Sequence, residues 1–317
     1  MPSKTSLRTI LERTERCFLV PCVYDCASAR AVEMCGFPVM LLSGGEVSIA
    51  MNGVIDYGFT SLTDLEWVVS RVSQTSAIPL IADIEDGFGG PLAVYRSAKR
   101  LAAAGAAAVQ LEDAGDMENT TRLLPREQYY SKIRAAAEAL QGTECLLIAR
   151  TNADPDDLDE FEEGCTRMRE SMEMGADMAM IVKVGTFEQA KYMAERVPGW
   201  KIFADVRADT GVPSVTMEQL TRLGFKCAST HYTLKAAMEG MLEHGRANFK
   251  DQSVAYTFTH APATGIMGYS ATPLFDPQGY MELEKSFTRK DKEYTIVGHK
   301  VESFPEGYVR SDIKDRL

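Results

Sequence analysis

Eight short apolar runs recur along the chain, and longer amphipathic stretches separate them. Each run is rich in Val, Ile, Leu, Ala or Phe, and most end in a polar or charged residue. Unbroken hydrophobicity over so few residues is typical of a parallel strand that is covered on both faces. The runs are Cys17–Cys22, Val39–Ser43, Pro79–Asp83, Ala107–Glu112, Cys145–Arg150, Met178–Lys183, Lys201–Asp205 and Phe225–Thr230.

The stretches between the runs carry helical signals. Ser61 begins a capping sequence, and Pro91 and Pro125 stand where the first helical residue of two further stretches is expected. Glycine follows several stretches directly before the next run, as at Gly105 and Gly175, which is typical of a left-handed helix end. A helix after the first run is predicted to end at Cys35-Gly36. The other predicted helices are Ser61–Ser76, Pro91–Ala104, Pro125–Leu140, Asp157–Met174, Thr186–Val197, Thr216–Leu223 and Leu234–His244.

A series of eight strand–helix units predicts an α/β fold, a closed (β/α)8 barrel of the TIM type, which takes about 250 residues. The alternative is an open, doubly wound parallel sheet, but no Gly-rich dinucleotide-binding turn follows the first run. Residues 248–317 have weaker periodicity and many aromatic residues. We therefore predict a catalytic barrel domain over residues 1–247 and a C-terminal helical extension with a tail over residues 248–317.

The charge of the chain argues against two classes of partner. Asp and Glu number 45 and Lys and Arg 34, so the formal net charge is −11. Nucleic acids and anionic membranes both bind clustered positive charge, so we expect neither as a partner. No apolar run has the length of a membrane span, and the N-terminus lacks the apolar segment of a signal peptide. The seven cysteines form no metal-binding pattern, which favours reduced thiols in a cytoplasmic protein.

Carboxylates cluster at the ends of the predicted strands. Asp83 ends the third run and Glu85 follows it, Glu112 ends the fourth run, and Asp56 lies in the loop after the second. A barrel gathers the carboxyl ends of its strands at one mouth, where its active site lies. Grouped carboxylates repel one another unless a cation is present, and oxygen ligands without His or Cys favour Mg²⁺, with Mn²⁺ as a substitute. The alternative is that each acid caps a helix or pairs with a surface lysine.

Two further strand ends suit an anionic substrate. Ser43-Gly44-Gly45 offers backbone N–H groups and a hydroxyl to an oxyanion or a carboxylate, although the same sequence also suits a tight turn. Arg150 ends a buried strand, where an unpaired guanidinium would be costly. It therefore has to meet an anion, either a substrate carboxylate or one of the acidic side chains, and the two uses can coexist.

Five segments of the chain fall on predicted strand ends and can be compared with known families. They are VPCVYDCASARAVEMCGF, LLSGGEVSIA, IPLIADIEDGFGG, AVQLEDA and LLIARTNA. In this order and spacing they resemble the isocitrate lyase/phosphoenolpyruvate mutase superfamily. The resemblance implies a Mg²⁺-binding barrel enzyme that cleaves or forms the C–C or C–P bond next to the enolate of a small 2-oxo or 2-hydroxy acid. It also implies a homotetramer in which a C-terminal helix is swapped between subunits.

The resemblance implies roles for individual residues, carried over by position. Asp83 matches the direct metal ligand, and Glu85 and Glu112 match acidic positions that hold the metal largely through water. Asp56 matches a further carboxylate in a loop of the site. The segment Ser43–Gly45 matches the one that grips the substrate carboxylate and the enolate oxygen.

The remaining roles concern the substrate. Arg150 matches the substrate-facing arginine of the family. Lys183 ends the sixth run, where many members have Glu or His, and Asp205 ends the seventh, where an Asn is common. We expect Arg150, Lys183 and Asp56 to be catalytic and Asp205 to bind substrate together with Ser43, Gly44, Gly45 and Arg150.

Two departures from the family pattern concern the chemistry. The lyases carry a Lys-Lys/Arg-Cys-Gly-His loop after the fourth strand, whose Cys is a general acid/base, but residues 114–124 read AGDMENTTRLL, without Cys or His. The usual Asp-x-Asp also reads Asp83-x-Glu85, one methylene longer. Decarboxylation of an oxo acid needs no base for a hydroxyl, so this loop favours decarboxylation or C–P chemistry. Lys183, Tyr57 or Glu46 could supply a proton.

We expect a Mg²⁺-dependent lyase that cleaves a C–C bond, similar to methylisocitrate or dimethylmalate lyases or to oxaloacetate decarboxylases. One alternative is a C–P enzyme similar to phosphoenolpyruvate mutase or phosphonopyruvate hydrolase. Another is a metal-free aldolase that forms a Schiff base with Lys183. A third is a non-catalytic protein that binds oxo acids. His231, beside the end of the eighth run, is interpreted as a structural histidine.

Overall fold

The computed structural model describes residues 5–114, 123–206, 211–260 and 275–287. Contacts between Cα atoms divide the chain after Leu234 into two compact units. The first unit contains the barrel, and the second contains most of one long helix and two shorter ones. The predicted domain boundary after residue 247 stays a prediction. None of the helices in these ranges is long and apolar enough to cross a membrane.

Eight parallel strands close into a barrel in which each strand pairs with its neighbours in sequence and β8 pairs with β1. The predicted (β/α)8 architecture is therefore confirmed, and the open sheet is excluded. The strand bounds agree with the predicted runs to within two residues at every end. The strands are β1 Phe18–Val23, β2 Met40–Leu42, β3 Leu80–Asp83, β4 Ala108–Glu112, β5 Leu146–Thr151, β6 Met178–Ile181, β7 Trp200–Phe203 and β8 Phe225–Thr230.

Helices follow the strands around the barrel. Those of the first unit are α1 Leu7–Arg13, α2 Cys26–Met34, α3 Gly44–Val47, α4 Leu62–Thr75, α5 Pro91–Ala104, α6 Arg126–Leu140, α7 Leu158–Glu173, α8 Phe187–Arg196 and α9 Met217–Arg222. A π-helical turn, Ser48–Asn52, continues α3. Helix α10, Thr233–Asp251, is followed in the second unit by α11 Ala255–Thr259 and α12 Pro277–Phe287.

The local signals in the sequence explain where these helices begin and end. Ser61 accepts a hydrogen bond from the backbone of Asp64, whose side chain in turn accepts one from the backbone of Ser61. Pro91 is the first residue of α5, and Gly105 ends that helix in the left-handed conformation with φ 106°. Helix α10 runs past His244, its predicted end, because the next glycine, Gly245, stays inside the helix and does not terminate it.

Helix α3 was not predicted. Glycine is a poor helix former, so Ser43-Gly44-Gly45 suggests a turn. The structure instead makes Ser43 the N-cap of α3, where its Oγ accepts a hydrogen bond from the backbone N–H of Glu46 at 3.3 Å. Glycine suits these two positions because the side chains of Glu85 and Asp56 approach the backbone of α3 closely, as described below.

Alternate residues of each strand supply two apolar clusters. One cluster fills the inside of the barrel and includes Val20, Ile81 and Ile148, together with Leu7 and Leu11 of α1. The other lies between the outer surface of the barrel and the surrounding helices. Near-continuous hydrophobicity along the strands follows from these two layers, since both faces of every strand are covered.

A buried polar network joins the ends of β4 and β5 to helix α7. The carboxylate of Asp113 is fully buried and accepts hydrogen bonds from Thr151 Oγ1 at 2.6 Å and from the backbone N–H of Asn152 at 2.9 Å. Arg167 of α7 donates to the same carboxylate at 3.1 Å and also to Glu163 at 2.8 Å. Burial raises the pKa of Asp113, and these three donors oppose that rise.

We expect Arg167→Ala to lower the free energy of unfolding by about 3–5 kcal/mol, because it leaves the Asp113 carboxylate buried without its cation. Arg222→Ala is the matched control, since Arg222 forms an exposed ion pair with Glu218 whose loss costs about 0.5 kcal/mol or less. Urea unfolding of both variants measures the difference. Equal losses in the two variants would show that the buried network does not stabilise the fold.

Candidate active site

A small cavity of about 70 Å³ lies at the carboxyl ends of the barrel strands. In a barrel enzyme this end carries the active site. Four of the predicted site residues line it: Ser43, Asp83, Arg150 and Asp205. The other lining residues are Cys22, Leu41, Gln110, Met180, Val182, Ala204, Ser229 and His231.

Arg150 lies between two of the predicted metal ligands. Its Nη1 donates to Asp83 Oδ2 at 2.8 Å, and its Nη2 lies 2.9 Å from Glu112 Oε2. The pairing of β4 with β5 sets Arg150 directly beside Glu112. Asn152 also donates to Glu112, at 3.0 Å. The anion that a buried arginine requires is therefore supplied by the protein itself.

Glu85 and Asp56 pack against the two glycines of the predicted substrate-binding segment. A Cβ atom on Gly44 would lie 1.8 Å from Glu85 Oε1, and one on Gly45 would lie 3.1 Å from Asp56 Oδ2. Only glycine lets these carboxylates come so close to the backbone of α3. Glu85 itself has a left-handed backbone with φ 51°, a strained conformation of the kind that clusters at functional sites. The structure thus brings together the loop after β2, which carries Asp56, and the residues that follow β3.

The carboxylates outnumber the cations in this site. Burial raises the pKa of Glu85 well above its ordinary value, and the nearby charges of Asp83 and Asp56 add to this rise. Burial also raises the pKa of Asp83 and that of Asp56, and the charge of Arg150 opposes both rises. The acidic neighbours raise the pKa of Arg150 further despite its burial. One guanidinium does not compensate four carboxylates, so the site favours additional positive charge.

The donor chemistry fits Mg²⁺, whereas the side-chain arrangement is not a closed metal cage. Among the described residues, no three His, Cys, Asp or Glu side chains converge closely enough to hold an ion by themselves. Mg²⁺ does not need such a cage, because it retains water and takes one or two carboxylates together with ligand oxygens. The excess of buried carboxylates over cations is consistent with this kind of binding.

Lys183 is not part of the group of residues around the cavity. The Nζ of Lys183 is 3.6 Å from Asp154, its side chain is 41% exposed, and it does not line the cavity. Its predicted catalytic role stays a prediction. Residues 115–122, most of the loop without Cys, lie outside the described residues.

Sequence reasoning missed a group of polar residues on the cavity. Gln110 of β4 is buried, lines the cavity, and its Oε1 has no hydrogen-bond partner among the described residues. His231, interpreted above as structural, also lines the cavity, and its Nδ1 lies 3.2 Å from Glu46 Oε1. Its Nε2 lies 3.5 Å from the sulfur of Cys22. Hydrogen bonding to Glu46 raises the pKa of His231.

A signal for part of this group was present in the sequence. Gln110 is a polar residue inside an otherwise apolar run, two positions before Glu112, so both side chains point to the same face of the strand. No comparable signal links His231 to Glu46, because 185 residues separate them in the chain.

Comparison with known proteins identifies relatives of the whole barrel. The chain is 31% identical over 255 residues to oxaloacetate decarboxylase from Pseudomonas putida, covering 77% of this chain and 86% of that protein. It is 30% identical over 228 residues to 2-methylisocitrate lyase from Aeropyrum pernix, covering 69% and 71%. The crystal structure of an oxaloacetate acetylhydrolase superposes with a TM-score of 0.77 at 25% identity, covering 89% of this chain and 97% of that one.

The predicted superfamily and the predicted enzyme class are therefore confirmed, since the relatives are enzymes and include carbon–carbon lyases. The family model described as phosphoenolpyruvate phosphomutase matches residues 7–248, which cover the whole barrel. The chain belongs to the phosphoenolpyruvate phosphomutase family, within the isocitrate lyase/phosphoenolpyruvate mutase superfamily.

Proposed function

We propose that this protein is a Mg²⁺-dependent C–C lyase that decarboxylates a small 2-oxo acid, and that oxaloacetate is its substrate. The bond it cleaves joins the departing carboxylate to the carbon beside the carbonyl, so cleavage leaves the enolate of pyruvate. Two of the relatives described above are named for reactions of oxaloacetate. The loop composition supports decarboxylation in particular, because a retro-aldol cleavage needs a base for the substrate hydroxyl and a decarboxylation does not.

The observation that carries the proposal is the polar wall of the cavity. Arg150 Nε and Gln110 Oε1 are buried there without hydrogen-bond partners among the described residues. Buried polar atoms in native proteins rarely lack a hydrogen-bond partner, so each one that does needs an explanation. A carboxylate ligand in the cavity would accept a hydrogen bond from Arg150 Nε, and a water molecule bound with it would donate one to Gln110 Oε1.

In this proposal Asp83 is the direct ligand of the metal, and Glu85 and Glu112 hold it largely through water. The bound ion would stabilise the negative charge that develops on the substrate oxygen as the bond breaks. Mn²⁺ would substitute for Mg²⁺, because both favour oxygen ligands.

The protein's own groups would position the substrate. Arg150 lines the cavity, and its Nε has no hydrogen-bond partner among the described residues in addition to the two carboxylates that its other nitrogens contact. It would neutralise the remote carboxylate of the substrate. The first N–H groups of α3, at Gly44 and Gly45, have no partner within the helix and would bind the developing oxyanion. Ser43 and Asp205 line the same cavity and complete the substrate-binding set. Asp56 would orient the substrate from the second loop.

A C–P bond enzyme is the second candidate, because the matching family model is itself described as a phosphomutase. The Schiff-base alternative has less support. The Lys183 amine is exposed and paired with Asp154, whereas imine formation favours an enclosed, neutral lysine.

We further propose a cytoplasmic homotetramer with a swapped C-terminal helix, as the resemblance implies. Exposed apolar side chains along α10 support an interface there: Met241 is 65%, Leu242 53% and Phe249 79% exposed. Monomeric proteins rarely leave large apolar patches uncovered.

We expect the purified full chain with Mg²⁺ to convert oxaloacetate to pyruvate and CO₂. This activity should stop when EDTA is added and should return when Mg²⁺ is added in excess. Asp83→Ala at the same Mg²⁺ concentration gives the background, because the free ion also decarboxylates oxaloacetate. The variant should lose at least about 100-fold of the rate. Phosphonopyruvate, methylisocitrate and substituted malates form the comparison panel.

Three outcomes would contradict this function. Turnover of phosphonopyruvate but not oxaloacetate would assign C–P chemistry. EDTA-resistant activity, with borohydride trapping a 2-oxo acid on Lys183, would assign the aldolase. Tight binding of oxalate with Mg²⁺ and no turnover of any compound in the panel would assign a binding protein.

We expect Gly44→Ala to weaken Mg²⁺ binding by about 10- to 100-fold, as changes to groups that orient a metal site do. The new Cβ would displace the Glu85 carboxylate, the flexible end of a side chain, so the fold should be retained. Gly240→Ala in α10 is the control, because a Cβ there meets no atom within 4 Å. Calorimetric titration with Mg²⁺ measures both. Equal affinities in the two variants would remove Glu85 from the metal site.

A further inference from the structure

Three side chains form a hydrogen-bonded line that ends on the cavity. Glu46 Oε1 lies 3.2 Å from His231 Nδ1, and His231 Nε2 lies 3.5 Å from Cys22 Sγ. Cys22 is on β1, Glu46 is in α3 and His231 follows β8, so closure of the barrel brings the three together. Both Cys22 and His231 line the cavity.

The line is held in place at both ends. Thr233 Oγ1 donates to the backbone carbonyl of Cys22 at 2.7 Å and lies 3.4 Å from Glu46 Oε2. The two residues of the line that reach the cavity differ in exposure to solvent. Cys22 is fully buried, whereas the His231 side chain is 43% exposed. Protons can therefore enter from solvent at His231 and be delivered at Cys22.

We propose that Cys22 donates the proton that completes the reaction, and that His231, oriented by Glu46, restores the proton to the Cys22 sulfur. This inference rests on the proposed lyase function and deepens it. It supplies the thiol acid for which the loop after β4 has no cysteine, but from a different strand. Cys22 is then a catalytic residue, whereas His231 and Glu46 are relay and positioning residues.

The electron pair of the broken C–C bond forms the new C–H bond at the enolate carbon, and the S–H bond of Cys22 breaks with its electron pair left on sulfur. The thiolate takes the proton from His231 Nε2, and the neutral imidazole takes one proton from solvent. One proton is consumed for each oxaloacetate dianion converted to pyruvate and CO₂, as that conversion requires.

The charges around the line suit this direction of transfer. Glu46, Asp205 and Asp83 all face His231 and favour its protonated form, in which both ring nitrogens donate and the thiol hydrogen is left for the cavity. Burial, and after it the same carboxylates, raise the pKa of Cys22 well above its ordinary value and disfavour a thiolate. The thiol is therefore present at the start of each turnover.

The test follows CO₂ release and pyruvate formation separately in the full-length enzyme with Mg²⁺ and oxaloacetate. In Cys22→Ala and Cys22→Ser we expect CO₂ release to continue while enzymatic protonation falls by about 10²- to 10⁴-fold, so that enolpyruvate is released. In His231→Gln the enolate should be protonated at the normal rate in the first turnover. Later turnovers should be slower, because the Cys22 thiolate is not reprotonated. If Cys22 and His231 had only a structural role, their variants would slow CO₂ release and pyruvate formation together.

Cys227→Ala is the matched control, since Cys227 is also fully buried in the barrel but does not line the cavity. It should keep the two products in step. If CO₂ and pyruvate stay in step in a folded Cys22 variant, the inference is wrong.

A second measurement separates failure of this inference from failure of the proposed function. With Mg²⁺ in D₂O, the wild type should exchange the methyl hydrogens of pyruvate, whichever bond the enzyme breaks to form that enolate. Cys22→Ala and Cys22→Ser should lose this exchange, and Cys227→Ala should retain it. Exchange that survives in both Cys22 variants, or that is absent from the wild type, overturns the relay even if oxaloacetate proves to be the substrate.

Discussion

The contact of Arg150 with Asp83 and Glu112 is the interaction on which the rest of the site depends. It joins three neighbouring strands, β3, β4 and β5, at the mouth of the barrel. A buried guanidinium with two carboxylates is costly to desolvate, and truncating one partner leaves an uncompensated charge. Such a group is weak evidence for stability alone. Its place on a cavity with two polar atoms that have no partner among the described residues supports the proposed role of Arg150 in binding substrate.

Negative charge beyond that one contact explains the architecture around it. Glu85 reaches the site only because its backbone adopts a left-handed conformation and because Gly44 has no side chain. Asp56 approaches Gly45 in the same way. These two glycines therefore serve less as a flexible turn than as room for carboxylates. The excess of acid over Arg150 is what a divalent cation would relieve.

Most of the fold could be predicted from the sequence, because the local signals and the global architecture agree. Continuous apolar runs, the capping sequence at Ser61 and the glycine at 105 each specify one element, and eight repetitions specify the barrel. The acidic and arginine positions at the strand ends followed from that topology. Helix α3 was missed because tertiary packing overrides the low helix propensity of glycine.

The Cys22–His231–Glu46 line could not be predicted for a different reason. Its contacts join positions 209 and 185 residues apart, and they depend on β8 returning to β1. A lone histidine after a strand carries no sign of its partners. The three side chains meet because the barrel closes, and no local motif in the sequence specifies their contact.

The central claim is that the grouped carboxylates hold a divalent cation beside the substrate. Crystals of the full chain grown with Mn²⁺ and oxalate test it through the anomalous scattering of the metal. The account predicts a peak in contact with Asp83 and oxalate, with Arg150 at the cavity wall, and its loss in Asp83→Ala. A mouth that holds oxalate with no anomalous peak in the wild type would contradict the account.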